Sequence, residues 1–112
     1  MKKIKREFKN PPAIYRSAPF WSRNGDMQAD EIDFQLRDFK AHGIGGAFAH
    51  PRIGMITEYL SEDFFDAFKA SLDTAKDADM KIYMYDENAW PSGFAGGKTA
   101  RVDKGAVTPF AK

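Results

Sequence analysis

Three short clusters in this sequence carry the side chains that could do chemistry. Trp21, Ser22, Arg23 and Asn24 form the first, His50, Pro51 and Arg52 the second, and Asp86, Glu87, Asn88 and Trp90 the third. Each follows a run that reads as a β-strand, so each stands at a strand's carboxyl end. In parallel α/β folds, ligands meet those ends. The opposite ends offer a poorer set: Tyr15 and Arg16, Gly43, and Met80 with Lys81. Aromatic rings beside carboxylates and amides suit sugars, which present apolar ring faces and hydroxyl edges.

Asp86 and Glu87 are the acid–base candidates. Hydrolysis of a glycosidic bond needs two carboxyl groups flanking it, about 5–5.5 Å apart for retention and roughly 6.5–9.5 Å for inversion. Neighbours at a strand end point to opposite faces, so these two are not expected to be that pair. One could bind substrate or act catalytically while the other caps a turn; equally, both could only tie down the loop. Any partner carboxylate is expected on a later strand.

His50 could bind a sugar hydroxyl, act as a general acid or base, or ligate a metal. A metal needs several convergent ligands, and only Asp86 and Glu87 could join it, so a hydrogen-bonding role is preferred and no metal or cofactor is expected. Trp21 and Trp90 read first as wall, with stacking against a sugar ring as the functional alternative. Asn24, Arg52 and Asn88 complete the substrate-binding candidates. Gly93, Gly96 and Gly97 could suggest a phosphate cradle, but no complete G-x-x-x-x-G-K-[ST] motif is present, so that reading is weak.

These clusters need strands and helices to hold them. Residues 1–16 read as a lead-in segment, because Pro11-Pro12 blocks helix and sheet pairing. Residues 17–21 read as a first strand, with a bulge or an unpaired N–H at Pro19. A helix is expected from Asp30, as its cap, to His42, with Ile32, Leu36 and Phe39 on one stripe and Gly43 stopping it in a left-handed conformation. Phe34 lies nearly opposite that stripe.

The second strand is Ile44 to His50, apolar on both faces, with glycines that imply close approach by another backbone. Ser61 caps a second helix ending near Asp77, with Phe64, Phe65, Phe68, Leu72 and Ala75 as its apolar face. The third strand is Lys81 to Asp86. The segment from residue 93 shows no period and is expected to be poorly ordered. The order is strand, helix, strand, helix, strand, which argues for parallel strands: an α/β fold, either a (β/α)₈ barrel or a doubly wound sheet. No G-x-G-x-x-G follows the first strand, which favours the barrel. The organisation is then lead-in (1–16), partial barrel (17–93) and loop or tail (94–112).

Composition excludes several classes. The formal net charge of the 112 residues is +1, so no general nucleic-acid footprint is present. The dense basic run, Lys2, Lys3, Lys5, Arg6 and Lys9, reads as a solvated tail rather than a phosphate-binding arm. The absence of cysteine removes disulfides and thiolate chemistry. No apolar run follows the basic start, so no signal peptide is expected, and none approaches the ~18 residues of a membrane span. The cytoplasm is the default compartment, with no membrane or nucleic-acid partner.

Several blocks occur in a recognisable order: Ala18-Pro19-Phe20-Trp21-Ser22, Gly43-Ile44-Gly45-Gly46, His50-Pro51-Arg52 with Tyr59-Leu60-Ser61, Tyr85-Asp86-Glu87-Asn88, and Trp90-Pro91-Ser92-Gly93-Phe94-Ala95-Gly96-Gly97. This resembles the start of the catalytic barrel in large bacterial glycoside hydrolases related to the α-L-rhamnosidases, over about residues 12–97. The resemblance implies hydrolysis of a glycosidic bond in a plant or microbial polysaccharide, with His50, Asp86, Glu87 and Trp90 lining a sugar subsite. It carries over no catalytic acid or base. Two positions depart from the family pattern: Arg23 stands where a second tryptophan is usual, and Asp79 where glycine is, which implies a strained turn. The expected molecule is a glycoside hydrolase fragment, inactive alone, that self-associates through an exposed strand edge. The alternatives are a stand-alone carbohydrate-binding or interaction module without catalysis, and a scaffold fragment without a ligand.

Overall fold

A computed structural model describes residues 1–88 and 92–99. Trp90 and the expected tail from residue 100 onward lie outside the described residues. Strands β1 (Phe20–Arg23), β2 (Gly46–Pro51) and β3 (Lys81–Met84) form one parallel sheet in the order β1-β2-β3. Phe20 pairs with Phe48 and Trp21 with Ala49; Ala47 pairs with Ile82 and Phe48 with Tyr83. Helix α1 (Lys2–Lys9) precedes the sheet, α2 (Ala29–Ala41) joins β1 to β2, and α3 (Glu62–Asp77) joins β2 to β3. Alternation of strand and helix produces the parallel α/β unit expected of it.

The core lies between the sheet and the α2–α3 layer. Trp21, Ile32, Leu36, Ala47, Ala49, Ala67, Ala75 and Met80 are buried there, with Phe39, Phe68 and Ile82 packed against them. Ile32 and Leu36 are the buried residues of the expected α2 stripe, and Phe34 on the far side is exposed. Side by side, α2 and α3 are tied by Arg37, which bridges Asp33 and Asp77 at 2.9 Å each, and by the Thr74 hydroxyl donating to Asp33 at 2.9 Å.

Four expectations need correction. The lead-in segment is helical over Lys2–Lys9, because lysine, arginine and glutamate are good helix formers and Pro11 comes only after the helix has ended. Asp30 does not cap α2. Gln28 holds that position without a side-chain cap, and the Asp30 carboxylate takes the N–H of Glu31 instead. The buried face of α3 is Phe64, Ala67, Ser71, Thr74 and Ala75, while Phe65 and Leu72 stay about half exposed. Small residues let α3 approach α2 and the sheet, which pushes the bulkier pair to the flank. The segment after residue 91 is not wholly irregular, since Ser92–Gly97 turns in 3₁₀ fashion with a kink at Ala95 and Gly96.

The capping of α3 follows expectation: the Ser61 hydroxyl accepts the N–H of Phe64 at 3.2 Å. So does the role of glycine at the start of β2. A Cβ on Gly45 would lie 2.2 Å from the Ala13 carbonyl oxygen, and one on Gly46 would lie 2.5 Å from that of Lys81. The lead-in segment is held against this point by Arg16, which donates to the carbonyls of Pro11 and Gly43 and to the Asn10 side chain.

Candidate functional site

Strand alternation sorts the sequence candidates onto two faces. Trp21 and Arg23 of β1, and Ala47, Ala49 and Pro51 of β2, are buried. Phe20 and Ser22, Phe48 and His50, and Tyr83 occupy the opposite face. Their rings form a continuous surface. Phe20 lies 5.6 Å from Phe48, 5.7 Å from His50 and 5.5 Å from Tyr85, centroid to centroid; Phe48 stacks on Tyr83 at 4.6 Å; His50 meets Tyr85 edge-on at 4.1 Å. Phe20 is 66% exposed, although it stands at the centre of these contacts.

The carboxyl ends of the strands give this surface its polar rim. Tyr85 donates from its hydroxyl to the Glu87 carboxylate at 3.4 Å. His50 feels Glu87 as well: burial and the charge of Arg52 hold its pKa below 6.5, and Glu87 pulls the other way. The ring is therefore a neutral donor–acceptor at neutral pH. Asp86 sits apart from this group. Its backbone carbonyl accepts the Tyr59 hydroxyl at 3.1 Å, and its charge joins burial in raising the Tyr59 pKa, so that hydroxyl stays protonated and donating. The adjacent carboxylates thus have different neighbours, and the group containing Phe20, His50, Tyr85 and Glu87 can offer one carboxylate, one imidazole and two aromatic walls.

Trp21 is not a stacking platform here. Its ring is 6% exposed, meets Phe39 edge-on, carries the Arg23 guanidinium 3.9 Å above it, and donates from Nε1 to Gln35 at 2.7 Å. Arg23 likewise points between the sheet and the helices rather than into a subsite wall. Asn24 and Arg52 are exposed at the same end of the sheet, the latter donating its N–H to the Arg23 carbonyl. Asn88 lies beneath Gly96, where a Cβ would come within 2.6 Å of its amide nitrogen. A separate cavity of about 250 Å³ opens beside β1, lined by Trp21, Ser22, Asn24, Asp26, Gln28 and Gln35. Among the described residues no group of three or more His, Cys, Asp or Glu is arranged to hold a metal, and no helix is long and apolar enough to cross a membrane.

The fold has a counterpart among solved structures. The chain is similar in fold to part of a rhamnosidase. The rhamnosidase, from Novosphingobium sp. PP1Y, superimposes with a TM-score of 0.64 at 24% identity, over 79% of this chain. The match spans 9% of the rhamnosidase chain. No family model matches the sequence, and no curated protein does either. The likeness bears on fold: an α/β unit of three parallel strands, consistent with part of a barrel.

The sequence reading did not single out Phe20, Tyr85 or Tyr59. The signal was available in part. Once His50 is placed on the open face, period-2 alternation puts Phe48 there, and parallel register brings in Phe20 and Tyr83. The reach of Tyr59 to Asp86, 27 residues away, has no sequence signature.

Proposed function

We propose that these residues form the sugar-facing opening wall of a (β/α)₈-barrel glycoside hydrolase of the rhamnosidase type. The observation that carries the reading is the aromatic face of Phe20, Phe48, Tyr83 and Tyr85, rimmed at the strands' carboxyl ends by His50 and Glu87. Aromatic faces take the apolar side of a pyranose, while the imidazole and carboxylate take its hydroxyls. Active sites of such barrels occur at this end of the strands. The fold likeness to a rhamnosidase supports the same reading.

Glu87 alone does not make the pair that glycosidic hydrolysis requires. In this proposal the partner carboxylate comes from a strand outside β1–β3, Asp86 and Glu87 remain catalytic candidates only, and the three strands by themselves bind without turnover. Amide NMR of the chain, titrated with L-rhamnose and other monosaccharides, tests this. Shifts confined to Phe20, His50, Tyr85 and Glu87 are expected. Shifts around Trp21 and Gln35 instead would move the site to the other cavity, and silence with every sugar would overturn the reading.

A further inference from the structure

Helix α1 is an amphipathic element whose apolar side chains no described residue buries. Met1, Ile4 and Phe8 follow one another at i, i+3 and i+7, an arc of about 60° on the helix surface. They are 90%, 68% and 87% exposed, and no residue of the helix is buried. Lys2, Lys5, Arg6 and Lys9 occupy the adjoining side, with Lys3 and Glu7 paired behind them at 3.8 Å. An apolar stripe beside a cationic one is the pattern of a helix that lies in a lipid–water interface, its apolar side chains among the acyl chains and its cations at the headgroups.

Three occupants of this helix face can be compared. A nucleic acid would use the cations and leave Ile4 and Phe8 in water. A second copy's open sheet face offers rings for the stripe, but its polar residues are Ser22, His50 and Lys81 with Glu87 at the rim, a poor match for this many cations. An anionic lipid surface satisfies both stripes at once, because each lysine or arginine gains from the negative surface potential while the apolar side chains leave water.

We propose that α1 docks the protein reversibly on anionic lipid, lying in the interface and not crossing it. This departs from the expectation of a solvated tail, which rested on the terminal position of the basic run, and from that of no membrane partner, which rested on the absence of a spanning segment.

Co-sedimentation of the 112-residue chain with vesicles of phosphatidylcholine, and of phosphatidylcholine mixed with phosphatidylglycerol, is the test. Binding is expected with phosphatidylglycerol and is expected to weaken as salt rises. The I4S/F8S double variant should bind at least about tenfold more weakly. Because these side chains are exposed, that variant keeps its fold, which circular dichroism verifies. The F20S variant, altered on the open sheet face, should bind like the parent. Equal binding to neutral vesicles, full binding by I4S/F8S, or loss of binding in F20S would each overturn the proposal. So would binding to a single-stranded oligonucleotide that is as tight as binding to vesicles and indifferent to I4S/F8S.

Discussion

Arg23 is a cation in a place that gives it little in return. It is 8% exposed between the sheet and the helices, and burial brings its pKa down to about 10. Among the described residues no carboxylate lies within ion-pair distance. Its contacts are the Trp21 face and a 3.5 Å approach to the Ser71 hydroxyl. That hydroxyl already donates to the Ala67 carbonyl at 3.0 Å, so removing the guanidinium orphans nothing. Burying a charge without a partner costs more than a cation–π contact returns. Arg23→Met should therefore raise stability by about 1–2 kcal/mol in urea unfolding; a lower midpoint would show the guanidinium to be a net asset.

His50 gives a second prediction at this scale. Its pKa is depressed in the fold, so the unfolded chain binds the proton more tightly and stability falls as pH drops through 6.5. By NMR, the His50 ring should titrate below 6.5, with Arg52→Gln raising the midpoint and Glu87→Gln lowering it. A midpoint at or above 6.5 would contradict the environment described. Only part of this candidate site was legible in the sequence. The carboxyl ends, His50 and Glu87 were visible there, but Trp21 attracted the stacking role that the alternation of the strand gives to Phe20.

Helices α2 and α3 end alike, with different residues at the critical position. In α2, Gly43 at φ +82° donates its N–H to Lys40, and Ile44 donates to Phe39. In α3, Asp79 at φ +51° donates to Lys76, and Met80 to Ala75. Both are the paired 5→2 and 6→1 closure of a Schellman motif, which favours glycine because a side chain crowds the left-handed backbone. The strain inferred from Asp79 in the sequence thus corresponds to a backbone conformation. Asp79→Gly should stabilise the fold by about 0.5–1 kcal/mol, and Gly43→Ala should cost about 1 kcal/mol or more. Thermal unfolding of the two variants checks both signs, and a destabilised Asp79→Gly would mean that the aspartate holds something besides the turn.

Element types were legible because caps, stops and apolar periods are local in sequence. The buried face of α3 was not, since it depends on how closely α2 and the sheet approach. Phe65 and Leu72 look like core until the small residues Ala67, Ser71 and Ala75 are seen to take that contact. Helix α1 was missed because the prolines that end it were read as excluding helix from the whole segment.

At the scale of the molecule, the three-stranded sheet has helices on one face and open aromatic rings on the other, and β1 and β3 each have one edge without a strand partner among the described residues. Parallel strands are ordinarily covered on both faces. Exposed rings and strand edges together invite a second copy to extend the sheet. The edge of β3 is the better template. Tyr83 and Met84 are 38% and 52% exposed there, and Lys81 puts a discouraging charge only at its start. The chain should therefore self-associate with rising concentration in sedimentation velocity. Met84→Lys places a second charge on that edge and should shift the distribution toward monomer, whereas Met84→Ile, which keeps the edge apolar and β-prone, should not. If both variants associate like the parent, the contact runs through the aromatic face instead, and Phe20→Ser becomes the substitution that disperses it. A parent chain that stays monomeric at every concentration would overturn the expected association.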